Sequence, residues 1–204
     1  MFTGIIETVG TVTRARRSGA GTTFSIDCPG WVQQLAPGDS VALNGACQTV
    51  ETVDRSCFTV TAVGETLQKT TLSGFRPGTQ VNLERAATLE TALSGHLVQG
   101  HVDGVGTVSS FTRRGQDWVL SVRLPGDLFK QVVSKGSIAI DGISLTVMAL
   151  ARGAVVQVTV IPFTREHSII KRYRSGTEVN IETDIIGKYV LSFLSQSHGY
   201  GLDG

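Results

Sequence analysis

Most of this chain is written twice. The stretch from residue 1 to about 84 returns between about 95 and 182, at a spacing of 96 to 98 residues. Val9-Gly10-Thr11-Val12 comes back as Val105-Gly106-Thr107-Val108, and Pro29-Gly30 as Pro125-Gly126. Ser40-Val41-Ala42-Leu43-Asn44-Gly45 becomes Ser137-Ile138-Ala139-Ile140-Asp141-Gly142. Gly78-Thr79-Gln80-Val81-Asn82-Leu83-Glu84 becomes Gly176-Thr177-Glu178-Val179-Asn180-Ile181-Glu182. The small drift in spacing is what loop insertions produce. A repeat of this length constrains the fold more than any local propensity, because both copies must reach the same structure. Two homologous domains follow, at 1–90 and 91–184, with 185–204 as a separate tail.

Each copy reads as strand. Phe24-Ser25-Ile26-Asp27 and residues 118–124 alternate apolar with polar, as do residues 58–63 and 156–161. Val, Ile and Thr supply 59 of the 204 residues, and 24 glycines punctuate them, a mixture suited to strands joined by tight turns. About six short strands per copy favour a small closed barrel, Greek-key-like, over an open sheet with bare edges. The expected fold is therefore all-β, two homologous six-stranded barrels plus a C-terminal helix. Residues 31–36 and 127–134 are expected to form a short helix over one barrel end, stopped by Gly38 and Gly136. In the tail, Ile185, Ile186, Tyr189, Val190, Phe193 and Leu194 share one helical face, with Thr183 or Asp184 placed to cap it. So short a helix must pack against something, and oligomerisation is the sharper expectation. Residues 199–204 are expected to be disordered.

Charge excludes some functions. Eighteen basic residues meet 17 acidic ones, so no field of one sign exists to hold nucleic acid or an anionic membrane. No apolar run reaches the length of a bilayer span, and the N-terminus lacks the features of a secretory signal. Arg14, Arg16 and Arg17 read as a solvated cluster in an exposed loop. The three cysteines, Cys28, Cys47 and Cys57, form no CxxC pair, which argues against a disulfide framework or a zinc cage. A cytoplasmic location and the absence of a metal are the expectations.

A duplicated barrel offers two similar pockets, so chemistry should be sought where the copies differ. Copy one reads Asn44-Gly45-Ala46-Cys47-Gln48-Thr49-Val50 and copy two Asp141-Gly142-Ile143-Ser144-Leu145-Thr146-Val147, which sets Cys47 opposite Ser144. A thiol is the better nucleophile, although a buried cysteine can also be a small hydrophobe, the simpler reading for Cys28 and Cys57. The second difference is Gly95-His96-Leu97-Val98-Gln99-Gly100-His101-Val102-Asp103-Gly104, where His101 falls on Ile5 of copy one. On an extended segment residues five apart face opposite ways, which argues against a shared metal; acid/base work and a structural hydrogen bond both stay open. Thr49, Thr66, Thr146 and Thr164 are polar in both copies, as β formers or as ligand contacts.

These motifs, with Met1-Phe2-Thr3-Gly4-Ile5-Ile6-Glu7, resemble those of riboflavin synthase of the α-subunit type, over nearly the whole chain. The resemblance implies a homotrimer of double barrels with the tail helices at its centre. It implies a transferase that dismutates two 6,7-dimethyl-8-ribityllumazine molecules into riboflavin and 5-amino-6-ribitylaminouracil, the last step of riboflavin biosynthesis. No cofactor is implied, and association with lumazine synthase is. The active site would lie between the first barrel of one subunit and the second barrel of a neighbour.

Carried over residue by residue, the resemblance names Cys47, His101, Ser40, Ser144 and Asp184 as catalytic. His101 would move the proton, Cys47 would act as nucleophile or polar orienter, and Asp184 would orient a neighbour. In the first barrel, the implied substrate contacts are Gly4, Ile5, Ile6, Cys47, Gln48, Thr49, Thr61, Ala62, Val63, Gly64, Glu65, Thr66, Gly100, His101 and Val102. In the second they are Ser144, Leu145, Thr146, Thr159, Val160, Ile161, Pro162, Phe163 and Thr164, with Lys135 reaching in from another chain. Gln48 stands where the family has an apolar residue, and Phe163 where it often has Glu or another polar one; both are expected to change affinity. The main rival is a lumazine- or flavin-carrying antenna of the same fold. A flavin-binding oxidoreductase barrel is a weaker one, echoed only by Arg172-Tyr173-Arg174-Ser175.

Overall fold

The structure, a computed structural model, describes residues 1–197; the stretch 199–204 lies outside them. Twelve strands close into two barrels. The first holds β1 (Thr8–Ser18), β2 (Gly21–Asp27), β3 (Ser40–Leu43), β4 (Ala46–Val53), β5 (Cys57–Ala62) and β6 (Gln80–Arg85), in the circular order β1-β2-β5-β4-β3-β6. The second holds β7 (Gly104–Arg114), β8 (Asp117–Arg123), β9 (Ser137–Ile140), β10 (Ile143–Ala151), β11 (Val155–Val160) and β12 (Glu178–Thr183), in the same circular order. Every ladder is antiparallel, and closure leaves neither sheet with a free edge.

Alternation explains the strands. In β5, Phe58, Val60 and Ala62 are fully buried while their neighbours are half-exposed, and Val156, Val158 and Val160 repeat this in β11. The two inward faces make separate apolar cores, Phe24, Phe58 and Leu83 in one, Leu120, Ile140 and Ile181 in the other. A third cluster of Phe2, Ala42, Val98 and Ala139 lies between the barrels.

The barrels meet about a pseudo-twofold axis at the Asn44-Gly45 and Asp141-Gly142 turns. All four residues have positive φ, from 44° to 79°, as a two-residue hairpin of this hand requires. The turns touch so closely that a Cβ on Gly45 would lie 2.7 Å from the Gly142 nitrogen. Hydrogen bonds cross the axis in matched pairs. Asn82 Nδ2 donates to the Asp141 carbonyl and Asn180 Nδ2 to the Asn44 carbonyl, at 2.9 and 2.8 Å. The pairs differ in one respect. Asp141 accepts from the Tyr173 hydroxyl at 2.6 Å, where copy one has Asn44 and Phe75.

The expected end helices are shorter than the sequence suggests. Copy one has a single 3₁₀ turn, Trp31–Gln34, because Pro37 disfavours helix before it and Leu35 is already extended. Copy two has α2 (Gly126–Phe129), after which the chain turns in to bury Val132. Two elements escape the sequence reading, α1 (Gly64–Lys69) and α3 (Pro162–Glu166), each followed by a 3₁₀ turn capped by Thr70 or Ser168. They are too short for periodicity to show. Arg14, Arg16 and Arg17 are exposed but lie on β1 and not in a loop, because Arg14, Arg16 and Arg17 pair with Ser25, Thr23 and Thr22. The tail helix α4 (Ile185–Ser197) is capped by Asp184, whose carboxylate accepts from the Ile186 N–H at 3.0 Å. Thr183 is buried at the end of β12, bound to Asp103. Among the described residues, no helix is long and apolar enough to cross a membrane.

Candidate functional site

Each barrel is preceded by an extended arm, residues 2–7 before β1 and 98–103 before β7. The arms pair with each other, Phe2 donating to the Val98 carbonyl at 2.7 Å and Val98 to that of Phe2 at 3.1 Å. Each then crosses to the other copy's barrel. The Cys47 N–H donates to the Gly100 carbonyl at 2.9 Å, and the Ser144 N–H to the Gly4 carbonyl at 2.8 Å. Val102 packs on the first core and Ile6 on the second. The Cys47 and Ser144 strands are therefore each met by the other copy's arm.

In the first barrel this crossing produces a cavity of about 270 Å³. Cys47 of β4, Glu65 and Thr66 of α1, and Gly100, His101 and Val102 of the second arm line it. Six sequence-named residues are thus brought together, along with Ala46, Lys69 and Thr70, which the sequence reading missed. Lys69 could not be placed without α1, on which it pairs with Glu65 at 2.8 Å. His101 is exposed, facing the cavity from outside the barrel. Burial pushes the Cys47 thiol above its ordinary value, while the Ser40 hydroxyl, hydrogen-bonded to the sulfur, pulls the other way. The sulfur is a neutral thiol at pH 7, suited to orienting a ligand more than to attacking one.

The matching position in the second barrel is Ser144. Its Oγ lies 2.7 Å from Nδ1 of His96, a nearly buried histidine. Burial keeps the imidazole neutral, with the nearby Asp184 carboxylate as a weaker opposing influence. His96 Nε2 is buried without a partner. An orphaned N–H is the rarer and costlier arrangement, which puts the proton on Nδ1, donated to Ser144. The Ser144 hydroxyl hydrogen is then free for a ligand. Comparison of the copies could not find this pair, because the counterpart of His96 would precede Met1. Where copy one has the Glu65–Lys69 ion pair, copy two stacks Phe163 on His167, ring centres 4.1 Å apart.

The remaining expected contacts sit elsewhere. Gly4 and Ile6, expected in the first barrel, lie against the second, because the arms cross. Ile5 faces a separate cavity of about 630 Å³ that also meets Ser40, Glu84 and the 84–94 linker. Gln48 and Leu145 point into the barrels, alternating with the outward Cys47, Thr49, Ser144 and Thr146, and Ala62 and Val160 likewise alternate with the outward Thr61 and Thr159. Gln48 spends its amide on the Cys47 carbonyl. Thr61 bonds Thr23 at 2.8 Å, and Thr159 is exposed with its hydroxyl directed at Met148. Val63, Ile161, Pro162 and Phe163 are exposed beside the helices that Gly64 and Pro162 open, with Thr164 half-buried on α3. Lys135 is exposed at a positive φ of 66° on the turn before β9.

The comparisons agree with this duplicated architecture. The lumazine binding domain family matches residues 3–86 and again 99–184. Riboflavin synthase of Bacillus subtilis (strain 168) is 37% identical over 97% of this chain and 92% of its own length. The riboflavin synthase of Mycobacterium bovis is 40% identical over 93% and 96%. Crystal structures of LumP, one complexed with 6,7-dimethyl-8-(1'-D-ribityl) lumazine and one with riboflavin, superpose with TM-scores of 0.81 and 0.83. At 21% identity, covering 90% of this chain and 99% of theirs, they share the fold. Two lumazine-binding domains in one chain, matched nearly end to end by curated enzymes, place this chain in the riboflavin synthase family of transferases.

Proposed function

We propose that the chain dismutates two molecules of 6,7-dimethyl-8-ribityllumazine, one giving a four-carbon unit to the other, to yield riboflavin and 5-amino-6-ribitylaminouracil. The observation that carries this reading is a matched pair of positions with unlike chemistry: Cys47 and His101 on one cavity, and Ser144 bonded to His96 at the equivalent place in the second barrel. Two copies of one substrate need similar binding but opposite roles, and the duplication supplies both.

The reaction begins with loss of a proton from the C7 methyl group, acidic because its carbanion delocalises into the pteridine. His101, exposed at the first pocket, is the group assigned to that proton. Cys47 orients the ring, with Ser40 holding the thiol. At the matching place in the second barrel Ser144 donates to the other substrate, and Asp184 acts on His96. Holding the rings face to face supplies much of the rate by proximity alone.

The pockets of one chain open on separate barrels, so the substrates meet only if a first barrel faces the second barrel of a neighbouring chain. A homotrimer built on α4 meets that need, with 185–204 as its oligomerisation unit beside domains at 1–90 and 91–184. Ile186, Tyr189 and Val190 present an exposed apolar stripe for it. A cytoplasmic location and association with lumazine synthase belong to the same reading.

The test is to incubate the ligand-stripped chain with the lumazine alone and follow both products. Equal amounts, formed catalytically, are expected. Tight binding of unchanged lumazine would overturn the enzyme reading in favour of a carrier. Turnover set beside affinity in Cys47→Ser and His101→Gln assigns the roles, since unchanged turnover removes that residue from the chemistry.

A further inference from the structure

Two buried carboxylates have no part in the chemistry above, and they occupy matching places. Glu84 on β6 and Glu182 on β12 are 3% and 4% exposed. A carboxylate so placed is costly unless hydrogen bonds compensate it. Each finds its donors in the arm of its own copy. Glu182 accepts from the Gln99 N–H at 2.6 Å and the Gly100 N–H at 3.0 Å, one on each oxygen. Glu84 accepts from the Thr3 N–H at 2.6 Å, the Thr3 hydroxyl at 2.8 Å and the Gly4 N–H at 3.1 Å.

The arm does not stay with its own copy. The next polar group along from the Glu182 contacts is the Gly100 carbonyl, which accepts from the Cys47 N–H of the other barrel. Gly100 lies so close that a Cβ there would stand 2.5 Å from that of Cys47, and its φ of +80° aims successive N–H groups at one anion. His101 and Val102 follow directly and close the first pocket.

We propose that Glu182 is a positioning residue for the first barrel's pocket: from the second barrel it clamps the Gln99–Gly100 backbone and so sets His101 and Gly100 against Cys47. Glu84 does the same for Gly4 and Ser144 in the opposite direction. Each arm is thus held, where it meets the Cys47 or Ser144 strand of one barrel, by a carboxylate of the other barrel. The proposal rests on the functional reading for the role of the pockets, but the clamp itself can be measured without turnover.

Glu182→Gln keeps the size and leaves one oxygen to serve two donors; Glu182→Asp keeps the charge and withdraws it by one methylene. In both variants, amide exchange at Gln99, Gly100 and Cys47 should quicken at least tenfold, with exchange at Gly4 and Ser144 unchanged. Titration with 6,7-dimethyl-8-ribityllumazine, followed through the Cys47 and Ser144 amide resonances, should show a tenfold loss of affinity at Cys47 alone. Glu84→Gln should give the mirror result, loss at Ser144 alone. Product formation should fall more in kcat than either affinity predicts. Equal effects at both pockets, or none on exchange, would overturn the clamp, as would a uniform loss of stability that accounts for both affinities. A wild-type chain that forms no product would refute the functional reading and leave the exchange result to decide the clamp.

Discussion

The sharpest energetic test lies at the seam between the barrels. Asp141 is 2% exposed, and its side chain accepts from the Asn180 N–H at 2.7 Å and from the Tyr173 hydroxyl at 2.6 Å. Burial outweighs those bonds and pushes its pKa from an ordinary 3.8 up to about 7. A carboxyl raised on folding binds a proton more readily in the native state. Its contribution is therefore complete below the unfolded value and is lost as pH rises through the folded one. Each pH unit between 3.8 and about 7 removes about 1.4 kcal/mol, so wild type should lose about 3 kcal/mol from this group between pH 5 and pH 8.

Copy one carries the control in its own sequence, with Asn44 and Phe75 at the same places. Asp141→Asn should abolish that loss, leaving the variant about 3 kcal/mol better placed, relative to wild type, at pH 8 than at pH 5. Tyr173→Phe alone removes a donor from a buried anion and should cost about 2 to 3 kcal/mol at pH 8, and less at pH 5. The double substitution should recover part of that cost, since no charge remains to be satisfied. Urea denaturation at fixed protein concentration, read by tryptophan fluorescence, measures all four proteins. Parallel pH curves for wild type and Asp141→Asn would refute the reasoning, because a charge that is not felt on folding is not buried.

Other outcomes follow from the site. Gly100→Ala forces a side chain into a positive φ and against Cys47, which should cost about 2 to 5 kcal/mol and lower lumazine affinity, as a melting curve and a fluorescence titration would show. His96→Phe removes the donor to Ser144 and should slow turnover roughly tenfold, while His96→Asn, which can place an N–H near Nδ1, should restore part of it in steady-state kinetics. Tyr189→Glu with Val190→Glu charges the exposed stripe of α4 and should shift sedimentation from that of the proposed trimer to that of a monomer; an unchanged sedimentation coefficient would remove this stripe from the proposed assembly.

Much of the architecture was legible before any coordinates, because it follows from short-range pattern. The doubled text required two like domains, the period-two alternation in residues such as Phe58, Val60 and Ala62 required strands with one buried face, and Asn44-Gly45 and Asp141-Gly142 marked turns that only a tight hairpin uses. The family's signature residues named Cys47, Ser144 and His101 as well. What the sequence by itself could not determine is which copy each residue serves. Gly100 and His101 belong to copy two and work in barrel one; Gly4 and Ile6 belong to copy one and lie against barrel two. Periodicity reports which face of a strand is buried, whereas the crossing of the arms is decided by pairing between residues about a hundred positions apart, Phe2 with Val98, and by the contact of the two turns. The partnership of His96 with Ser144, and the clamp of Glu182 on Gly100, arise from the same crossing. The doubled sequence determined two barrels; only their packing about the pseudo-twofold axis decided that the strands of Cys47 and Ser144 are each met by the other copy's arm.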